Sequence, residues 1–242
     1  MGPRLPPLQG RPIGFGHRGA MADAPENTME SFSLAVELGA TGLESDVWVT
    51  RDGVAVLVHD GKVGPFYRRS AIVDLDREQL PDHIPTLTEL FELVGADYPI
   101  SLDLKDAGSF YAVVDAARAF GGRAEENLWL CHPDLDVVTG WRSRTSAKLV
   151  NSMRLRHLPQ GLERRASELK ERGIETINLH HSDWNGGRVA LAHRFGLLAF
   201  GWGAQHEREL ASVLDAGIDA VYSDHVDRMM ATITEFYGTV DD

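Results

Sequence analysis

The most constraining feature of this sequence is a regular alternation of short apolar runs with longer amphipathic segments. Eight runs are rich in β-branched and aromatic residues and have the length of strands. They predict strands at residues 13–17, 42–49, 100–105, 127–132, 147–152, 175–181, 197–203 and 219–224. One strand and one helix about every 30 residues is typical of β-α units around a parallel sheet.

The segments between these strands carry helix start and stop signals. Thr86 and Glu89 have the spacing of a capping box. Glycines such as Gly121 and Gly173 follow amphipathic segments, where a left-handed helix cap favours them. Helices are predicted at residues 28–38, from residue 86 onward, and at 109–120, 133–142, 159–172, 188–195, 207–216 and 226–236.

Eight β-α units either close into a barrel or remain an open, doubly wound sheet. The open sheet with a dinucleotide site would need a glycine fingerprint after the first strand, whereas this chain has His17-Arg18-Gly19 there. Polar residues end all eight predicted strands, and barrel enzymes carry their chemistry at that end. We therefore predict an α/β fold, a single (β/α)8 TIM-type barrel, and keep the open sheet as the alternative.

Two further features complete the predicted organisation. Asp52-Gly53 between two β-branched runs predicts a β-hairpin excursion after strand 2. The first residues are rich in Pro and Gly, so residues 1–12 are predicted as an N-terminal arm and 13–238 as the barrel domain.

Composition excludes several classes of protein. With 24 Lys and Arg against 36 Asp and Glu, the net charge of −12 argues against a general binder of nucleic acid or of anionic membranes. Cys131 is the single cysteine, which excludes an intrachain disulfide framework. No apolar run has the length of a membrane span, and the start does not have the apolar core of a secretory signal. We expect a cytoplasmic protein with no integral membrane segment, and the oligomeric state stays open.

Acidic and cationic side chains share faces on two predicted strands. Glu44 and Asp46 are two residues apart, so they point to one side, where two buried carboxylates would repel unless a cation joined them. A surface strand with both acids in water fits equally well. Asp103 and Lys105 also share a face, either as a carboxylate ligand with a cation for an anionic oxygen or as an ordinary ion pair. Three carboxylates without cysteine favour Mg²⁺ or Ca²⁺ over zinc as the cofactor.

Two histidines and an arginine are predicted near these acids. If the hairpin loop is even-numbered, Val49 pairs with Val56 and Asp46 lies opposite His59. His17 ends the first strand, and Arg18 beside it has the forked donors that suit phosphate. Two imidazoles around a cation suggest an acid and a base on either side of a reacting phosphorus or carbonyl.

These residues resemble the glycerophosphodiester phosphodiesterase family. The resemblance is dense from Gly16 to Asp60 and looser to about residue 230. Its elements are His17-Arg18-Gly19, Pro25-Glu26-Asn27-Thr28, Glu44-x-Asp46, Thr50-x-Asp52-Gly53, His59-Asp60 and, later, Gly201-Trp202-Gly203 and Ser223-Asp224.

The resemblance implies a β/α barrel that hydrolyses glycerophosphodiesters to glycerol 3-phosphate and an alcohol. It implies His17 and His59 as general acid and base, and we assign His17 as base and His59 as acid. It also implies Glu44 and Asp46 as metal ligands and Arg18 as a phosphate contact. The family usually has Glu-x-Lys on the third strand, whereas this chain has Asp103-x-Lys105, whose shorter acid affects how a cation would be held.

The predicted partner is a small-molecule phosphodiester, and no nucleic acid is expected. Trp202 is interpreted either as a cap on the core or as a wall against the glycerol moiety. Two alternative functions stay open: cleavage of lysophospholipids, for which Phe66 and Tyr67 would supply an apolar rim, and a non-catalytic barrel that binds phosphate ligands.

Overall fold

The computed structural model describes residues 5–106 and 108–238. Residues 1–4 of the predicted arm lie outside this part of the chain. The described strands are β1 (Ile13–Gly16), β2 (Gly42–Val49), β3 (Ala55–Leu57), β4 (Lys62–Val63), β5 (Ser70–Ala71), β6 (Ile100–Leu104), β7 (Leu128–His132), β8 (Lys148–Met153), β9 (Thr176–His180), β10 (Leu198–Trp202) and β11 (Ala220–Ser223). The α-helices are α1 (Met29–Glu37), α2 (Leu87–Val94), α3 (Ser109–Phe120), α4 (Leu135–Trp141), α5 (Gly161–Glu171), α6 (Gly186–Arg194), α7 (Glu207–Asp215) and α8 (Val226–Tyr237).

Eight parallel strands close into one barrel in the order β1, β2, β6, β7, β8, β9, β10, β11. The ring is closed where β1 pairs with β11, from Ile13 beside Ala220 to Gly16 beside Ser223. This closure confirms the (β/α)8 barrel and excludes the open sheet. Each predicted strand boundary agrees with the structure to within one residue.

Local sequence signals explain where the helices begin. Thr86 precedes α2, its hydroxyl accepts a hydrogen bond from the Glu89 amide at 3.2 Å, and the Glu89 carboxylate accepts one from the Thr86 amide at 2.7 Å. The predicted capping box is therefore present. Leu87, Leu90 and Phe91 share one face of this helix and are buried against the barrel.

Aromatic side chains fill the lower part of the barrel. Phe15 stacks on Tyr222 with ring centroids 4.9 Å apart, and Trp129 lies against Phe200 at the same separation. These rings form a floor, so the open space within the barrel lies above them, toward the carboxyl ends of the strands. That is where barrel enzymes bind their substrates.

The hairpin after β2 is present, but its predicted register is wrong by one residue. Val49 pairs with Ala55, not with Val56. The Thr50 amide donates to the Val54 carbonyl at 3.0 Å, and Gly53 has a φ of +84°, so the loop has three residues, with its last in the left-handed region. Asp46 consequently lies beside Val58, whose amide donates to its carbonyl at 3.0 Å, and not opposite His59.

The segment between β3 and α2 forms a small second hairpin in which β4 pairs with β5. The described part of the predicted arm lies at the other end of the barrel. There the Leu8 amide donates to the Asp219 carboxylate at 2.6 Å, just before β11 begins. The arm is therefore remote from the carboxyl ends of the strands.

Within the described residues, none of the helices combines the length and apolarity that crossing a bilayer requires.

Candidate active site

A cavity of about 260 Å³ opens at the carboxyl ends of the barrel strands. Seven of the eight predicted site residues line it: His17, Arg18, Glu44, Asp46, Asp103, Lys105 and Trp202. The remaining wall comes from Ser101, Cys131, Ser152, Asn178 and Tyr222. The structure therefore brings together residues that are up to 185 positions apart, counted from His17 to Trp202.

His17 is oriented by an acid from the last barrel strand. Its Nδ1 lies 2.7 Å from Asp224 Oδ1, and its Nε2 lies 3.7 Å from Glu44 Oε2. Burial opposes the charged imidazolium, but the negative charges of Glu44 and Asp224 outweigh it and raise the pKa of His17. A hydrogen bond to Asp224 leaves Nε2 facing the cavity, the orientation that an acid or base requires.

Glu44 and Asp46 both point inward from β2, as the alternation predicts, and both are buried. Burial raises the pKa of Glu44 to about 7, and repulsion from Asp46 and Asp103 adds to the effect against the attraction of His17. Burial alone would also raise the pKa of Asp46, but Lys105 and Arg18 lower it below its usual value. The two carboxylates therefore differ in their tendency to hold a proton.

Asp103 and Lys105 come from β6, the strand next to β2. Asp103 is in register with Asp46, so the two carboxylates lie side by side. The Lys105 ammonium bridges them, 2.9 Å from Asp46 Oδ1 and in contact with Asp103. Burial opposes its charge, yet the two carboxylates raise the pKa of Lys105.

Arg18 is held by a tight turn after β1. Its φ of +51° is unusual for a residue with a side chain, and Gly19 follows at +82°. A Cβ at Gly19 would lie 2.6 Å from the Ser31 carbonyl carbon, so glycine is required. In this turn the Arg18 Nε lies 3.0 Å from Asp46 Oδ2, and its Nη1 donates to Glu26 at 2.6 Å.

Two further residues position the site: Asn27, which was not assigned a role of its own from the sequence, and Asp224, which was predicted only as a possible pocket residue at the end of the last strand. Asn27 is buried, donates to Asp46 Oδ2 at 3.2 Å, and accepts from the Ser45 hydroxyl at 2.6 Å. Asp224 orients His17. A signal existed for Asp224, because closure of the barrel places the end of the last strand beside the end of the first. For Asn27 the signal was weaker: asparagine tolerates the positive φ, +54°, that it has here.

His59 is the predicted site residue that does not line the cavity. It comes directly after Val58, which pairs with Asp46, so its backbone lies at the rim. Its ring is partly exposed, with Nδ1 3.1 Å from Asp60 Oδ1. The shift of the hairpin register explains why it is not opposite Asp46. Its catalytic role stays a prediction.

Trp202 ends β10 and forms a wall of the cavity. Its indole ring lies perpendicular to the His180 ring, with centroids 4.6 Å apart. Within the described residues its buried Nε1 has no hydrogen-bond partner.

A second cavity of about 400 Å³ adjoins the first at Lys105. Its walls include the aromatic side chains of Phe110, Tyr111 and Trp141 from α3 and α4.

The donor set fits a hard divalent cation. Glu44, Asp46 and Asp103 offer only carboxylate oxygens, the ligands that Mg²⁺ and Ca²⁺ prefer. Burial is the main cause of the raised pKa of Glu44, and a cation would relieve the repulsion from Asp46 and Asp103 that adds to it. Within residues 5–106 and 108–238, however, no three His, Cys, Asp or Glu side chains already have the arrangement of a metal site. The Lys105 ammonium lies between two of the three acids instead.

The fold and the site together define a (β/α)8 barrel with an acid-, histidine- and cation-lined pocket on the face that carries active sites in this fold. Comparisons with known proteins show which barrel family it resembles. Residues 17–116 match the model of the glycerophosphoryl diester phosphodiesterase family. A glycerophosphodiester phosphodiesterase of Caldanaerobacter subterraneus is 26% identical over 232 residues, which cover 87% of this chain and 93% of that protein.

Solved structures agree in fold. A putative glycerophosphoryl diester phosphodiesterase from Silicibacter pomeroyi superposes with a TM-score of 0.81 at 20% identity, covering 96% of this chain and 95% of the other. An Oleispira antarctica phosphodiesterase in complex with the product sn-glycerol-3-phosphate has a TM-score of 0.80 at 20% identity, with coverage of 92% and 97%. In sequence over residues 17–116 and in fold over nearly the whole chain, the protein is similar to the glycerophosphodiester phosphodiesterase family, which confirms the resemblance drawn from its motifs.

Proposed function

We propose that this protein is a phosphoric diester hydrolase that cleaves glycerophosphodiesters to glycerol 3-phosphate and an alcohol with the help of a divalent cation. The observation that carries this proposal is the convergence of His17, three carboxylates and two cationic side chains on one cavity at the catalytic face of the barrel. The match to the family model over residues 17–116 and the product complex of the Oleispira relative support the same substrate class.

Glu44, Asp46 and Asp103 would hold the cation, as Mg²⁺ or Ca²⁺. When bound, it would supply charge neutralisation at a phosphate oxygen and activation of the attacking hydroxyl group or water. Lys105 pairs with two of these acids, so its ammonium would be available to the substrate once the cation took over that contact. Arg18, which lines the cavity, would then position a second phosphate oxygen through its guanidinium group.

His17 and His59 are the proposed acid–base pair. Asp224 holds the Nδ1 side of His17, so proton exchange occurs at Nε2, which faces Glu44 and the cavity. The order predicted from the sequence has His17 as base and His59 as acid. The raised pKa of His17 favours the opposite order, because a protonated imidazole is available to give a proton to a leaving alkoxide.

Cavity sizes bear on the substrate. At about 260 Å³, the first cavity is just below the usual range for ligand pockets, so it fits the phosphoglycerol end of a substrate. The adjoining 400 Å³ cavity at Lys105 offers aromatic walls for the alcohol part. The exposure of Phe66 and Tyr67 favours lysophospholipids as a second candidate substrate class.

The test is a turnover assay on purified protein stripped of metal by chelation. Glycerophosphocholine, glycerophosphoethanolamine and a long-chain lysophospholipid are each supplied with Mg²⁺ or Ca²⁺ added back. The freed headgroup alcohol is measured for every substrate, because a lysophospholipid would leave acylated glycerol phosphate, and glycerol 3-phosphate is measured for the two glycerophosphodiesters. We expect release from at least one glycerophosphodiester only when cation is restored. Activity on the lysophospholipid alone would favour the second candidate, and no turnover of any substrate would contradict the proposal. His83→Ala, which changes an exposed histidine away from the cavity, is the matched control for His17→Ala.

A further inference from the structure

The tip of the β4–β5 hairpin, residues 64–69, exposes two aromatic side chains almost completely. Phe66 is 96% exposed and Tyr67 is 88% exposed. Elsewhere in the described chain, the most exposed large hydrophobic side chain is Tyr111 at 52%. Single exposed apolar residues are common, but two adjacent and nearly bare rings at the end of a hairpin indicate a surface that contacts something else.

The same hairpin is basic in an acidic protein. Residues 61–73 contain Lys62, Arg68 and Arg69 and no Asp or Glu, although the whole chain has a net charge of −12. Arg69 lies 3.6 Å from Asp60, whereas Lys62 and Arg68 have no carboxylate within ion-pair distance among the described residues. The tip therefore combines bare aromatic rings with Arg68, which has no ion pair among the described residues, and with Arg69, which is paired to Asp60.

The hairpin lies on the side of the barrel where the cavity opens. Val58 pairs with Asp46, and β4 begins four residues after Val58. The Asp60–Arg69 ion pair ties the tip to the residue that follows His59. A surface in contact with the tip would consequently face the mouth of the cavity.

We propose that residues 64–69 dock this protein onto anionic lipid surfaces. Aromatic rings bind at the boundary between headgroups and acyl chains, and neighbouring cations are attracted by anionic headgroups. Neither the aromatic rings nor the cations would bind a membrane strongly by themselves. Together they would give reversible binding. The total charge of −12 does not oppose this contact strongly, because charges more than about 8 Å from the surface are screened at physiological salt. The inference goes beyond the proposed function, since binding requires no turnover.

The test is co-sedimentation of the full chain with vesicles, in chelator and without substrate. Vesicles of pure phosphatidylcholine are compared with vesicles containing 30% phosphatidylglycerol (about a third anionic lipid, as in a strongly charged leaflet). We expect binding to the anionic vesicles that weakens as salt rises. Arg68→Gln with Arg69→Gln should lower the partition coefficient about 30-fold, from about a kilocalorie per mole for each cation. Phe66→Ser with Tyr67→Ser should lower it about tenfold or more.

Matched controls change exposed side chains elsewhere: Lys170→Gln with Arg208→Gln for charge, and Val36→Ser with Leu93→Ser for apolar surface. These should leave binding unchanged. The proposal is overturned if the wild-type chain does not bind anionic vesicles, or if the tip and control variants bind alike. It is also overturned if light scattering shows that the wild-type protein self-associates and the aromatic variants lose only this self-association. The tip would then bind a second copy of the protein and not a lipid surface. Because no hydrolysis is measured, a failure here is distinct from a failure of the proposed function.

Discussion

Replacing Glu44 with glutamine should stabilise the metal-free protein at alkaline pH while removing its response to divalent cations. Glu44 is buried beside Asp46 and Asp103, and its pKa rises from an ordinary 4.5 to about 7. The folded protein therefore binds a proton that the unfolded chain has already released between these two pH values. Stability falls as pH rises from about 4.5 to about 7 and stays lower above that range.

The magnitude follows from the same two pKa values. Each pKa unit corresponds to about 1.4 kcal/mol, so the ionised Glu44 destabilises the metal-free fold by about 3 kcal/mol at most. Glutamine has the same shape and still accepts the hydrogen bond that the Arg18 amide donates at 3.0 Å, but it carries no charge. In a domain of this size, each kcal/mol of unfolding free energy raises the melting temperature by about 2–4 °C. Glu44→Gln should therefore melt several degrees higher than wild type at pH 8.

The assay is thermal unfolding of wild type and Glu44→Gln at pH 5 and pH 8, with chelator and then with excess Mg²⁺ or Ca²⁺. In chelator the variant should gain stability relative to wild type only at pH 8. With cation, wild type should be stabilised and the variant should respond weakly or not at all. Glu92→Gln, at an exposed position on α2, is the control and should behave as wild type in all four conditions. A variant that is less stable than wild type at pH 8 in chelator would refute the reasoning about charge repulsion.

Three further predictions concern catalysis and the turn that supports it. His17→Ala and His59→Ala should each lower kcat by about 10²-fold or more, with His83→Ala as control, and unchanged turnover would remove that histidine from the mechanism. Asp224→Asn removes the negative charge beside His17 and should lower its pKa, so the limb of the pH–rate profile that belongs to His17 should move to lower pH. An unmoved profile would contradict the contact between Asp224 and His17. Gly19→Ala should destabilise the fold by more than about 1 kcal/mol in denaturant unfolding, because its backbone conformation and its contact with Ser31 exclude a Cβ.

The barrel could be predicted because its strands and helices are specified by local patterns. Strand positions follow from β-branched runs, and the capping box of Thr86 and Glu89 marks the start of α2. The inward positions of Glu44 and Asp46 follow from the alternation of side chains along a strand. Each of these properties depends on residues that are close together in the chain.

Features that depend on backbone detail or on distant residues were not predictable in the same way. The hairpin register depends on whether the loop has an even or an odd number of residues. The left-handed conformation of Gly53 belongs to a three-residue loop, which pairs Val49 with Ala55. The bridge from Lys105 to Asp46 depends on the register between β2 and β6, which the sequence does not encode locally. The contact between Asp224 and His17, 207 residues apart, could be inferred only through closure of the barrel, which places the last strand beside the first.

The charges that line the cavity lead to a last prediction about how cation and anion bind. Three carboxylates face Arg18 and Lys105, so above about pH 7, where Glu44 is ionised, these five groups leave the metal-free cavity with one net negative charge, which opposes a phosphate anion. A bound divalent cation would make the same five groups net positive by one charge. Glycerol 3-phosphate should therefore bind more tightly with cation present, and the cation should bind more tightly with glycerol 3-phosphate present, by the same factor. Calorimetric titration of each ligand with and without the other measures both factors. Equal phosphate affinity in chelator and in excess Mg²⁺ or Ca²⁺ would mean that Arg18 and Lys105 alone attract the substrate, and that the three acids serve only to hold them in place.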